Sequence, residues 1–295
     1  MKLNSSNKVE GLQSSGNIAN ALLGTVERPL LRYHGGKFLL AKWIISHFPA
    51  HRIYVEPYGG AASVLLQKNR SYAEVYNDMD NEVVNLFTVC RTQGKELIEA
   101  LHYTPFSRKE FELSYQATDN PFEKARRTVV RSFMGFGSAS ASGRKTGFRA
   151  NSNRSGTTPA HDWMNYTEAL PAIINRMRGI VIENKDAVEV MKHHDTPQTL
   201  HYVDPPYLLN TRYNGQKTKC YNFEMTDEQH EALCKELLQL KGMVVLSGYD
   251  NELYNDLLPW RKVYKKSFAD GAAQRKEVLW ISPTCNNGGL LFNCA

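Results

Sequence analysis

The run Ile53-Tyr54-Val55-Glu56, stopped by Pro57 and Gly59-Gly60 and followed at once by the apolar spacing of Ala62, Val64, Leu65 and Leu66, constrains this chain more than any other feature. A short apolar strand, a glycine turn and a helix in immediate succession make a β-turn-α unit. Ala73-Glu74-Val75-Tyr76 and the helical stretch Asn81 to Cys90 repeat the pattern. Units of this kind open a doubly wound, mostly parallel α/β sheet, because parallel neighbours are joined only by crossovers. Strand patterns return at Ile180 to Glu183, Leu200 to Val203, Met243 to Leu246, Val263-Tyr264 and Val278 to Ile281. Helices are predicted at Lys37 to Phe48, Ala187 to Lys192 and Thr226 to Leu240. Between Leu97 and Met177 strand signals vanish, and Phe111 to Ala117, Phe122 to Met134 and Ala169 to Met177 read as helices. We therefore expect residues 29–96 and 178–295 to form the sheet domain, residues 97–177 to be a helical insertion, and residues 1–28 to be a flexible polar tail.

In such a sheet ligands bind at the carboxyl ends of the strands. The turn Glu56-Pro57-Tyr58-Gly59-Gly60 lets a ligand approach the backbone, and Asp78, ending the next strand, can bind a ribose hydroxyl pair. This turn is not G-x-G-x-x-G, so the ligand it suits is a nucleoside without a pyrophosphate. Gly35-Gly36-Lys37 is not a P-loop, because Phe38 follows where Ser or Thr would hold magnesium. At the fourth predicted strand's exit stands Asp204-Pro205-Pro206-Tyr207. The two prolines fix φ and leave the Pro205 carbonyl without a competing N–H from Pro206. Asp204 and that carbonyl can accept both protons of an exocyclic amine. Tyr207 offers a face on which a base stacks, a contact worth roughly 1–3 kcal/mol. A strand that merely ends in a Pro-Pro turn gives the same four letters, so the other motifs decide.

Charge adds a second signal. Pro121 to Ser155 holds eight cations against Glu123 alone, a local +7 in a chain whose net charge is +6. These cations include Arg126, Arg127, Arg131, Arg144, Lys145, Arg149 and Arg154, with the small polar run Ser138 to Gly147 among them, and they suit a surface that meets phosphates. A solvated helix face is the plainer account of the first half of the window. Tyr213, Lys217 and Lys219 are candidates for a mobile lid, whereas Arg275-Lys276-Glu277 reads as a loop that touches phosphates or, the plainer account, is only solvated. Trp43, Trp163, Trp260 and Trp280 sit among apolar neighbours and read as core. Five cysteines without a CxxC pair predict free thiols, and no histidines stand at metal-ligand spacing, so no metal site is expected. No apolar run approaches the ~18 residues of a membrane span, and the first residues lack a signal-peptide pattern, so a cytoplasmic location is expected.

Taken in order, Arg32-Tyr33-His34-Gly35-Gly36-Lys37, Val55-Glu56-Pro57-Tyr58-Gly59-Gly60, Asn77-Asp78 and Asp204-Pro205-Pro206-Tyr207 resemble the Dam-type DNA adenine-N6 methyltransferases over nearly all of the chain after Leu30. The resemblance implies a Rossmann-like methyltransferase sheet carrying an inserted helical target-recognition domain. It implies S-adenosylmethionine as cofactor, S-adenosylhomocysteine as its product, no metal, double-stranded DNA as partner, and a monomer with no obligate protein partner. It further implies methyl transfer to N6 of a flipped-out adenine by Asp204, Pro205, Pro206 and Tyr207. By the same similarity Tyr33, Lys37, Tyr58, Gly59, Gly60 and Asp204 line the cofactor site, Asp78 holds the ribose and Asp186 lies near the adenine ring. Glu56 either orients the glycine turn or accepts a bond at the site's edge. Arg126, Arg127, Arg131, Arg144, Lys145, Arg149 and Arg154 would meet DNA. Two positions depart from the family: Ala61-Ala62 where a further glycine is usual, and Ala187 where an aromatic often follows the Asp. An RNA amino-group methyltransferase would share the amine-handling logic, but Asp rather than Asn at 204 and the basic insertion favour DNA. A catalytically silent DNA-binding relative has no physical need for Lys37, Asp78, Asp204 and Tyr207 together. The family's targets run from GATC to looser contexts, and the small residues of Ser138 to Gly147 lean toward the looser readout.

Overall fold

The computed structural model describes residues 25–137, 144–153, 156–211, 223–268 and 274–287. The expected tail up to residue 24, the loop 138–143, Arg154 and the expected lid residues Tyr213, Lys217 and Lys219 lie outside the described residues.

Seven strands form one sheet: β1 Ile53–Glu56, β2 Ala73–Asn77, β3 Ile180–Glu183, β4 Thr199–Val203, β5 Met243–Tyr249, β6 Arg261–Phe268 and β7 Gln274–Ile281, in the spatial order β3-β2-β1-β4-β5-β7-β6. The pairs among β1 to β5 are parallel, and β7 lies antiparallel to both β5 and β6. From β1 the chain winds outward to β2 and β3, then returns to place β4 on the other side of β1. The carboxyl ends of β1 and β4 are therefore the switch point at which ligand crevices form.

Period-two alternation sorts the strand side chains into two cores. Leu200, Tyr202, Met243 and Val245 pack into one cluster with Ile44, Leu65 and Phe87, while Val203, Val244, Leu246 and Trp280 join the other with Leu233, Leu237 and Tyr254. Both faces are covered, as parallel strands require. On the first face lie α1 Ala41–Ile45, α2 Ser63–Gln67 and α3 Asn81–Thr92, and on the second α8 Ala187–His193, α9 Asp227–Leu237 and α10 Glu252–Leu257. Among the described residues the stretch between β2 and β3 contains no strand; besides α3 it holds α4 Gly94–His102, α5 Arg108–Leu113, α6 Pro121–Met134 and α7 Pro159–Arg176. Its starts are well marked in sequence: Asn120 caps α6 by accepting from Phe122 N and Glu123 N, with Pro121 in the first turn, and Thr158 caps α7 before Pro159.

These helices share the sheet's core. Val129, Phe133, Tyr166 and Leu170 belong to the same buried cluster as Leu65 and Tyr76. The Tyr166 hydroxyl donates to Leu30 O at 2.8 Å and Arg32 N donates to Ser132 Oγ at 2.7 Å, so the segment leading into Tyr33 is tied to α6 and α7. Three expectations are corrected in extent. The helix over Lys37 to Phe48 shrinks to Ala41–Ile45, since turns flank it on both sides. Helix α7 begins at Pro159 rather than Ala169. Arg275, Lys276 and Glu277 stand in β7 rather than in a loop before it, and Glu277 is buried. Trp163, Trp260 and Trp280 are buried and Trp43 packs partly buried against the core, as their neighbours predicted.

Candidate active site

The glycine turn after β1 is built by its contacts with β2. Gly59 N donates to Asn77 O at 2.8 Å and Gly60 N to Asp78 Oδ2 at 2.7 Å. A Cβ on Gly59 would stand 2.1 Å from a ring carbon of Tyr76, whose hydroxyl donates to Gly60 O at 2.8 Å and whose ring stacks on Phe87 at 4.1 Å. Only glycine therefore fits beneath the aromatic floor. Ala62, where the family usually has glycine close by, holds a left-handed φ of 52° at the start of α2. Asn77, fully buried, donates to Pro57 O and Lys185 O and accepts from Lys185 N, so one amide fastens the exits of β1, β2 and β3.

Above this floor opens a cavity of ≈ 440 Å³ that reaches from Asp78 and Asp186 at one end to Lys37, Asp204 and Pro206 at the other. Tyr33, Tyr58, Gly59 and Gly60 line it, and Lys37 is its only lysine or arginine among the described residues. The structure thus brings every residue assigned to the cofactor by resemblance to one cavity. Their roles within the fold differ. Asp78 accepts from Gly60 N and Asp80 N, and burial lifts its carboxyl to about 6. Asp186 caps α8 through Val188 N and Glu189 N. Glu56 is buried, with Oε2 accepting from Tyr54 Oη at 2.7 Å and from Leu65 N at 3.0 Å, so its oxygen anchors the first turn of α2. Desolvation drives its carboxyl up to about 8, a form that retains both accepted bonds.

At the β4 exit two partners orient Asp204. Ser247 Oγ, from β5, donates to Oδ1 at 2.7 Å, and Lys37 Nζ lies 2.9 Å from Oδ2. The same ammonium donates to Gly35 O at 2.7 Å and stands 4.6 Å from the centre of the Tyr207 ring. Burial pulls the Lys37 pKa down, but Asp204 and then Glu277 outweigh it and hold the amine above its ordinary value. Tyr207 meets Tyr249 edge-on at 4.7 Å and donates its hydroxyl to Glu277 Oε2 at 2.8 Å. Ser247, Tyr249 and Glu277 were not singled out by sequence reasoning for this site. Each comes from β5 or β7, distant in sequence, and only the sheet order brings them to β4.

The basic window divides. Arg126 binds Glu123, Glu110 and Thr104, and Arg127 binds Glu123 and the Gln116 carbonyl. Arg131 is buried on Glu82, Ser114 O and Thr128. Arg149 donates to Phe133 O at 3.0 Å, with Asp162 at 3.8 Å. Four of the arginines expected to meet DNA thus lie against carboxylates within the fold, three of which, Glu82, Glu110 and Asp162, are outside the window, so its count of charge missed them. Arg144 and Lys145 are exposed, beside an isolated antiparallel bridge of Gly135 with Phe148, around which Phe136 N donates to Gly147 O and Arg149 N to Met134 O. Exposed Arg108 lies 5.1 Å from the Phe148 ring at that bridge, a cation the sequence reading passed over because it precedes the window.

A parallel sheet with one antiparallel strand slotted beside its edge, and an Asp-Pro-Pro-Tyr exit facing a glycine turn across one cavity, defines a methyltransferase that acts on an amino group. Sequence comparison gives the family: a model described as D12 class N6 adenine-specific DNA methyltransferase matches residues 33–275, and the chain belongs to that family. It is an adenine-N6 DNA methyltransferase. Among curated proteins it is similar to the DNA adenine methylases of Salmonella typhi, 22% identical over 266 residues, and of Escherichia coli strain K12, 21% identical over 265 residues, each alignment covering 85% of this chain and 92% of the relative. A DNA adenine methylase of Serratia marcescens is 32% identical over 72 residues, covering 24% of this chain and 26% of that protein.

Proposed function

We propose that this chain transfers a methyl group from S-adenosylmethionine to N6 of an adenine turned out of duplex DNA, acting as a monomer in the cytoplasm. The carrying observation is Asp204, held by Ser247 and Lys37 at the lip of the same cavity that Asp78 and the glycine turn close from the other side. The donor set fits this cofactor. Carboxylates at 78, 186 and 204 suit a ribose and a positively charged sulfonium with its ammonium, the rings of Tyr33 and Tyr58 suit a purine, and among the described residues no cluster of cations lines the cavity to cradle phosphates. Bound there, S-adenosylmethionine supplies an electrophilic methyl group. No grouping of His, Cys, Asp and Glu among the described residues is built to hold a metal ion.

Adenine N6 is a weak nucleophile because its lone pair is delocalised into the ring. Asp204 and the Pro205 carbonyl each accept a hydrogen bond from one of its N–H groups and favour a pyramidal nitrogen. N6 then attacks the methyl group with release of S-adenosylhomocysteine, and its surplus proton passes to Asp204. Each Asp204 oxygen keeps a lone pair for this purpose beyond its bond to Ser247 or Lys37. Tyr207 receives the base by stacking, which a base inside the duplex cannot reach, so the adenine must leave the helix. Alignment of this kind accounts for much of the rate, with effective molarities that reach about 10⁵ M in favourable cases.

We further propose that the helical stretch between β2 and β3 reads DNA, with phosphate contacts from the exposed side chains of Arg144 and Lys145. The test is transfer of labelled methyl to unmethylated duplex DNA, followed by digestion to nucleosides and mapping of modified sites. Wild type should yield N6-methyladenine and Asp204→Ala none. Label in an RNA control alone would move the substrate class.

A further inference from the structure

Glu277 stands on β7, is 6% exposed, and yet carries no catalytic motif and pairs with no arginine. Burial pushes its carboxyl up, opposed by the charge of Lys37 and by the Tyr207 hydroxyl. A buried carboxylate whose hydrogen-bond partner is a phenol is a poor contributor to stability, and an apolar side chain would serve the core better. Its geometry explains it otherwise. A tyrosine ring has two freedoms: the direction of its long axis, and rotation about that axis. Glu277 Oε2 accepts the hydroxyl at 2.8 Å and so pins the far end of the axis. A bond at that end leaves rotation open, because the hydroxyl oxygen lies on the axis. The rotation is limited by Tyr249, whose ring meets Tyr207 at an interplanar angle of 76° and a centroid distance of 4.7 Å. Tyr249 and Glu277 are direct partners in the antiparallel ladder between β5 and β7, so one cross-strand pair addresses both freedoms.

We propose that Glu277, with Tyr249 opposite it, is the positioning device for Tyr207: the carboxylate fixes the ring's axis and the neighbouring ring fixes its plane, presenting the face on which the target adenine stacks. This rests on the reading of Tyr207 as the stacking surface. Glu277 touches neither base nor methyl group in this account and acts through the tyrosine.

The experiment is a double-mutant cycle read by single-turnover methyl transfer to pre-bound unmethylated duplex DNA, with Tyr207→Phe removing the donor, Glu277→Leu removing the acceptor and Glu277→Gln retaining one. Glu277→Leu should slow the methyl-transfer step by up to about a hundredfold, the scale of a misplaced reacting group. Its thermal shift with S-adenosylmethionine and its DNA affinity should match the wild type. Glu277→Gln should recover most of the rate, and adding Glu277→Leu to Tyr207→Phe should cost nothing further beyond about twofold. Independent, multiplying effects would overturn the proposal, as would a wild-type rate in Glu277→Leu. If Glu277→Leu fails to fold, the cycle closes with Glu277→Gln and Tyr207→Phe, where multiplying losses again overturn it. Absence of label from the wild type itself would instead remove the adenine reading on which the proposal stands.

Discussion

Glu56 shows how a residue near the chemistry can be spoken for by the fold. Its oxygen is occupied by Tyr54 and the backbone of α2, and burial raises its carboxyl from 4.5 to about 8. A carboxyl raised on folding contributes stability at low pH that disappears as pH climbs. Below about 4.5 both states are protonated; between there and about 8 the unfolded chain gives up its proton first, and stability falls. Glu56→Gln mimics the protonated form and should escape this loss. In urea unfolding the variant should gain on the wild type progressively from pH 5 to pH 8.5, whereas a constant difference across that range would mean that Glu56 is not held protonated in the folded protein. The same position was ambiguous in sequence, where an acid at a strand's end reads equally as ligand or brace. What decides between them is a bond to Leu65 N, nine residues on, which no local pattern announces.

Among the elements, the strands next to the switch point were the most legible. β1, β2 and β4 each join a run of apolar residues to an abrupt polar or proline stop, and their bounds agree closely with expectation. Helices α4 and α10 were not anticipated, being short and flanked by residues that serve equally as turns. Nor was β7's place between β5 and β6, because strand order depends on pairings far apart in the chain. The joint between α7 and the sheet was equally hidden. Arg176 at the end of α7 binds both oxygens of buried Glu74 on β2, at 2.6 and 2.9 Å, and donates to Leu65 O at the other side. Removing one member of a buried pair leaves the other uncompensated. Arg176→Ala should therefore cost about 3 kcal/mol in urea unfolding, the low end for a broken buried pair, because Lys68, Arg70 and the Ser71 amide remain beside Glu74. Because α7 and the sheet share one core, the loss should appear as a shift of a single transition. Two separated transitions would show that the helices unfold on their own.

On the scale of the whole molecule, charge is less concentrated than composition suggests. The three arginines of α6 are matched by Glu82, Glu110 and Glu123, so they steady the packing of α3, α5 and α6. Arg144 and Lys145 are exposed, and under the DNA contact proposed for them they would release counterions. Arg144→Ala and Lys145→Ala should each reduce the salt slope of duplex binding by about 1. Arg126→Ala should leave the slope unchanged and lower the unfolding midpoint. An equal change of slope in Arg126→Ala would return α6 to the DNA surface.

The insertion of β7 between β5 and β6 also bears on how the enzyme comes into being. Synthesis delivers β5 and β6 before the strand that separates them, so on the ribosome β5 presents an unpaired edge that must not be taken by β6 or by another chain. The acceptor of the Tyr207 hydroxyl arrives with that same late strand. A nascent polypeptide that already displays the β4 exit and its Asp204 thus lacks the acceptor for the Tyr207 hydroxyl, and on the proposed role of that pair its competence would be deferred until the sheet is closed.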